Sequence, residues 1–206
     1  MIIKSPFYVV QEFLSPYLCE EIIDMADFNV PDTDKDENPV KTTRRCERGQ
    51  AIIYERFLHT IPEIQAHYQN LYKGTEAMDF EWFPETAKGE FLCGNSKFLR
   101  NKWLRVAQRD LTCVIFLCDY QDKVPFEKDY EVYGGKLEFP QHRFGFNPQR
   151  GTLIVFPAAP HFINMTTEIL VGDLFQVRFH TATQIPLLYN PQQFPGDYTT
   201  WFRDIK

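Results

Sequence analysis

The amino-acid sequence predicts a mostly β protein with flanking helices (α+β), built as an antiparallel sandwich or jelly roll. Three observations carry that expectation. Helical apolar spacing is confined to the first third of the chain, and from about Ala77 onward short apolar runs alternate with Gly, Pro and Asn turns. One of those runs, Leu111 to Cys118, is apolar almost throughout and short, as in a strand buried on both faces. Helices first and closely spaced strands afterwards is the pattern of a sheet covered by helices.

Taken in order, Tyr8-Val9-Val10 reads as an opening strand, and Ser15-Pro16 supplies an N-cap and a first-turn proline for a helix with Leu18, Ile22 and Met25 on one face. The spacing predicts a second helix beginning at Thr60-Ile61-Pro62-Glu63, a capping box, with Ile61, Ile64, Tyr68 and Leu71 along its apolar face. Later strands are expected at Lys136 to Phe139, Thr152 to Phe156 and Leu174 to His180. Turns are expected at Gly134-Gly135, Asn147 to Gly151 and Gly172-Asp173. The expected organisation is a single domain: a mainly helical flank over 1–76, a β core over 77–185 and an irregular tail over 186–206.

Composition narrows the function classes. The chain has 206 residues, a net charge of -6, 44% hydrophobic residues and 16% aromatics, so it is a folded protein and not a disordered one. An acidic balance argues against a nucleic-acid partner. No apolar run reaches the roughly 18 residues of a membrane span, and Met1 to Pro16 lacks the zones of a signal peptide. No membrane partner and a cytoplasmic location are expected. The cysteines Cys19, Cys46, Cys93, Cys113 and Cys118 are odd in number with no C-x-x-C, which points to reduced thiols. An acidic run from Asp32 to Glu37 followed by Lys41, Arg44, Arg45 and Arg48 reads as a solvated loop, with a mobile lid as the alternative.

Among the five histidines, His59 and His67 fit ordinary helix positions. His161 follows the Thr152 to Phe156 strand through Pro157-Ala158-Ala159-Pro160, which sets an imidazole at a strand mouth, where it is a candidate metal ligand. The competing reading is a loop histidine bonded to backbone. Along Leu174 to His180 the alternation puts Phe175, Val177 and Phe179 on one face and Gln176, Arg178 and His180 on the other. If the polar face meets water, Arg178 is a surface residue. If it lines a barrel, Arg178 needs a carboxylate partner, and a dicarboxylate ligand is one source of it.

The ordered set Arg109-Asp110-Leu111-Thr112, Tyr133-Gly134-Gly135-Lys136-Leu137-Glu138-Phe139, Asn147 to Pro157 and His161 resembles the prolyl-4-hydroxylase-like branch of the Fe(II)/2-oxoglutarate dioxygenases. Glu12-Phe13-Leu14-Ser15 with Leu18-Cys19 is similar to that family's opening. The resemblance covers about Phe7 to His180 and extends to phage-encoded oxygenase-like proteins, which implies a viral source and, with it, the host cytoplasm. It further implies a double-stranded β-helix, Fe(II) held by two histidines and a carboxylate, 2-oxoglutarate as co-substrate and ascorbate as a reductant. Hydroxylation of a protein or prolyl-type substrate follows as the implied activity, with a small molecule as the alternative substrate. His161 matches the family's distal histidine.

Two departures from the pattern stand out. No H-x-D occurs near Phe91 to Ser96; Cys93 and Asn95 take the ligand positions in one register, Leu92 and Gly94 in the other. Cys93 as thiolate and Asn95 through its carbonyl oxygen are therefore the implied metal ligands beside His161, although an amide is a weak ligand and Cys93 also suits a buried structural role. Asp119, Glu131 and Glu138 are other carboxylates that could reach the metal. The basic residue expected just beyond Gly172 is absent, Leu174 standing there, which leaves Arg178 as the implied 2-oxoglutarate contact. Two functions follow: an oxygenase with an altered metal site, or a non-catalytic β-helix that binds or supports a partner.

Overall fold

A computed structural model describes residues 5–28, 30–100, 102–124 and 130–185. The expected tail over 186–206 lies outside the described residues. Strand β1 (Tyr8–Val10) leads into helix α1 (Pro16–Ala26), and short strands β2 (Asp32–Thr33), β3 (Pro39–Val40) and β4 (Thr42–Arg44) precede helix α2 (Glu47–Tyr68). Next come β5 (Tyr72–Thr75), β6 (Asp79–Phe83), β7 (Ser96–Leu99), β8 (Lys102–Arg105), β9 (Leu111–Phe116) and β10 (Asp119–Tyr120). The chain continues through β11 (Glu131–Gly134), β12 (Leu137–Phe139), β13 (Phe144–Phe146), β14 (Leu153–Pro157), β15 (Met165–Thr166), β16 (Ile169–Gly172) and β17 (Leu174–Thr183).

The large sheet runs β1-β14-β9-β17-β6-β4, with β5 pairing the far end of β17, and two smaller sheets are ordered β10-β11-β16 and β13-β12-β15. Alternation along the central strands sorts their side chains into two cores. Odd-numbered residues of β9 and β17, such as Cys113, Ile115, Val177 and Phe179, meet Ile22, Ile53 and Phe57 of the helices. Even-numbered residues, Val114, Phe116, Ile154, Phe156 and Leu174, meet Val132, Leu137, Phe139 and Ile169 of the smaller sheets. The sheets thus enclose an interior that is apolar at one end. This is the expected jelly roll, with the helices on its outer face.

Local signals explain most element boundaries. Ser15 caps α1, its hydroxyl accepting from the Leu18 amide at 3.3 Å. Gly151 sits at φ 75° where its α-carbon approaches the Leu14 carbonyl; a Cβ there would lie 2.0 Å from that oxygen. The second helix corrects the sequence expectation. It starts at Glu47, capped by the Cys46 sulfur on the Gly49 amide, and runs through Pro62. Thr60 is not a cap but bonds back to the Arg56 carbonyl one turn earlier. The helix tolerates Pro62 because Ile53, Phe57 and Ile64 lock both halves onto the sheet, while Leu58, whose carbonyl loses its donor, lies on the exposed side.

The charged segment is not simply a solvated loop. The four basic residues of its second half each find an acid: Lys41 reaches Glu81, Arg44 meets Asp32, Arg45 meets Asp79 and Arg48 lies near Glu21. Three of these four contacts tie the segment to α1 or β6. No helix among the described residues is long and apolar enough to cross a membrane.

Candidate functional site

The interior is polar at its second end, and the residues responsible come from β6, β9 and β17. Glu81 lies directly opposite Gln176 across the β6–β17 pair and diagonal to Arg178. Gln176 Nε2 donates to Glu81 Oε2 at 2.6 Å, and Arg178 Nε donates to the same oxygen at 3.4 Å. Lys41 Nζ donates to Glu81 Oε1 at 3.0 Å, and Arg178 Nη1 donates to Asn164 Oδ1 at 3.0 Å. Glu81 is 2% exposed and Arg178 5%, so both charges are held inside the protein. Burial pushes the Glu81 carboxyl up, but the Arg178 guanidinium and Lys41 ammonium outweigh it and hold the group below its ordinary value.

Beyond Arg178, His180 pairs with Thr112 of β9, and its Nδ1 lies 3.2 Å from the threonine hydroxyl. Burial depresses its pKa, and Arg109 and Arg178 push it further, to about 3, so the imidazole is neutral. Gly94 closes the space beside it: a Cβ at that position would stand 2.8 Å from both Ala158 Cβ and Thr112 Oγ1 and 3.1 Å from His180 Cε1.

The segment carrying the sequence-predicted ligands runs beside the one carrying His161. Leu92 bridges Asn164 in antiparallel fashion, and the Asn95 amide donates to the Ala158 carbonyl at 3.0 Å. The Cys93 sulfur lies 3.6 Å from that carbonyl, and burial pushes its thiol up, away from the thiolate form. Asn95 Oδ1 accepts from the Ser96 hydroxyl at 2.7 Å. His161 lies in the 3-10 turn Pro160–Phe162, and its carbonyl accepts from His142 Nε2. Among the described residues no group of three or more His, Cys, Asp and Glu side chains could hold an ion.

Asn164 and Glu81, neither of them a sequence candidate, are what the structure brings to Arg178. Of the three carboxylates considered from sequence for the metal, two are occupied elsewhere: Asp119 holds Arg150 at 3.2 Å, and Glu131 accepts from Gln121 at 3.1 Å. A signal for Glu81 was present in Asp79-Phe80-Glu81-Trp82-Phe83, where a lone Glu interrupts an aromatic strand.

No protein-family model matches the chain, and no curated protein matches it. Solved structures do. The viral collagen prolyl hydroxylase of Paramecium bursaria Chlorella virus-1, in its 2-oxoglutarate complex, superposes with a TM-score of 0.61 at 15% identity over 85% of this chain and 95% of that one. The fold is the double-stranded β-helix. A Pseudomonas putida prolyl-4-hydroxylase matches with a TM-score of 0.58 at 14% identity over 88% and 94% of the two chains. A Trichoplax adhaerens prolyl hydroxylase in complex with a hypoxia inducible factor peptide fragment gives 0.58 at 10% over 86% and 84%. At these identities the likeness concerns the β-helix alone.

That β-helix family implies Fe(II) and 2-oxoglutarate, and the residues present do not fit them. Gly94 has no room for a ligating side chain, Asn95 and Cys93 offer no carboxylate, and Arg178 already has its counter-charge in Glu81. The arrangement shares one carboxylate between two cations, Lys41 and Arg178, and so keeps one net positive charge. Gln176 donates to the carboxylate and Asn164 accepts from Arg178, while the buried Gln176 Oε1 has no partner among the described residues.

Proposed function

We propose that this chain is a non-catalytic member of the double-stranded β-helix fold, a binding or structural module that does not use Fe(II) and 2-oxoglutarate. The observation that carries the proposal is the buried Glu81–Arg178 pair. A guanidinium already matched by an internal carboxylate offers a dicarboxylate ligand less net attraction, since binding would have to compete with Glu81 for it inside the protein. A second reading rests on the likeness to prolyl hydroxylase structures: an oxygenase with His161, Cys93 and Asn95 around the metal and Arg178 at the co-substrate.

Calorimetric titration of anaerobic, metal-stripped protein with Mn(II), the redox-inert substitute for Fe(II), and then with 2-oxoglutarate separates the two. The module predicts heats of dilution for both. Metal binding abolished by His161→Ala, followed by 2-oxoglutarate binding abolished by Arg178→Ala, would replace it with the oxygenase.

A further inference from the structure

The β7–β8 ribbon, which follows immediately on Asn95, is outside the interior network. Its base is rooted: the Val106 and Ala107 amides both donate to the Asn95 carbonyl, at 2.8 and 3.2 Å, and Arg105 binds Asp110 at 2.9 Å. Its remainder stands in solvent. Phe98 faces Trp103 across the ribbon with ring centroids 5.3 Å apart, and Leu99 and Leu104 lie on the reverse face. These four side chains are 40–56% exposed. Among the described residues no strand pairs with either outer edge of the ribbon. From Lys97 to Arg109 the sequence carries five basic residues and no acid, in a chain whose net charge is -6. Arg105 and Arg109 are bound to Asp110 and Glu76, so the charge the ribbon offers a partner is that of Lys97, Arg100 and Lys102.

We propose that this ribbon is a docking edge that takes an extended acidic strand of a partner protein by β-addition. The proposal deepens the binding-module reading by naming its surface. An edge with unpaired amides and carbonyls templates another strand. Side chains of an added strand alternate between faces, so a single partner segment would cover Phe98 and Trp103 on one side and Leu99 and Leu104 on the other. The local basic run selects acidic residues in that segment. A single-stranded nucleic acid stacks on one aromatic face and leaves the leucines wet, and insertion into a bilayer would lead with Arg100 near the ribbon's turn. Lysines alone can serve to blunt an edge, but that use does not call for four large apolar neighbours.

Fluorescence anisotropy of a labelled decapeptide alternating Glu and Val, titrated with the whole chain, tests the proposal. The expected result is saturable binding that weakens at least tenfold when Lys replaces Glu. It should weaken at least tenfold again when amides along one peptide edge are N-methylated. One of the two pairs, Phe98→Thr with Trp103→Thr or Leu99→Thr with Leu104→Thr, lies on the face that the valines of this peptide cover and should weaken binding threefold or more; Thr keeps the strand preference at these exposed sites. No binding of the Glu-Val peptide, or equal binding of its N-methylated form, would overturn the proposal. So would binding of an oligothymidylate or of phosphatidylserine vesicles in the absence of peptide binding. Because the N-methyl comparison uses the unaltered chain, it decides even if a variant misfolds. Metal binding in the earlier titration would refute the non-catalytic reading without touching this result.

Discussion

Glu81 and Arg178 lie 97 positions apart in sequence and share a 3.4 Å contact inside the β-helix, Glu81 on β6 and Arg178 on the neighbouring β17. Removing the carboxylate alone leaves a buried guanidinium without its counter-charge. Glu81→Ala is therefore expected to cost about 3–5 kcal/mol, whereas Glu81→Leu combined with Arg178→Met should recover much of that loss. Urea denaturation of the two variants beside the parent protein measures both quantities. Equal destabilisation by the single and double changes would show that packing, not charge pairing, governs this site.

His180 gives the protein a pH dependence of known sign. Its folded pKa of about 3 lies below the ordinary histidine value, so the unfolded chain binds the proton more readily. Stability from this residue is complete above about pH 6.5 and is lost progressively as the pH falls from there toward 3. Denaturation midpoints taken between pH 7 and pH 4 should decline, and His180→Gln should flatten the decline. Glu81, held below its ordinary value, adds its own loss only at lower pH, below the usual Glu range. An unchanged slope in His180→Gln would assign the pH dependence to other groups.

Gly94 is one of the two ligand positions, with Leu92, in the second of the two registers. Contacts of 2.8 Å to Ala158 and Thr112 mean that even Gly94→Ala must move backbone or strand side chains, and overpacking of this kind costs about 1–3 kcal/mol. Gly94→His should destabilise further and confer no Mn(II) binding in calorimetry. Gain of metal binding by Gly94→His would show that the site can open.

Pro62 interrupts the hydrogen bonding of α2 on an exposed face. Pro62→Ala restores the amide that the Leu58 carbonyl lacks and is expected to stabilise the protein by about 1–3 kcal/mol, read as a raised thermal midpoint. A neutral or destabilising outcome would mean that the proline shapes the helix for its seat on the sheet.

Much of the architecture was legible in local pattern. The period-two alternation along Leu174 to His180 determined that Gln176, Arg178 and His180 share a face, and Ser15-Pro16 determined where α1 begins. The start of α2 was not legible, because Cys46 is a poor capping residue by type and acts as one only where the chain holds its sulfur against the Gly49 amide. At the interior site the sequence required that a buried Arg178 have a carboxylate partner, yet named no residue of the chain for it and pointed to a dicarboxylate ligand as one source. Only the tertiary structure selected Glu81, because the strand order places β6 beside β17. It likewise turned Asn164 toward Arg178, while the His161 carbonyl holds His142. Alternation is a property of a few neighbouring residues and is written in them. Strand neighbourhood is settled by how whole sheets bury their faces, and the partner of a buried charge follows from that.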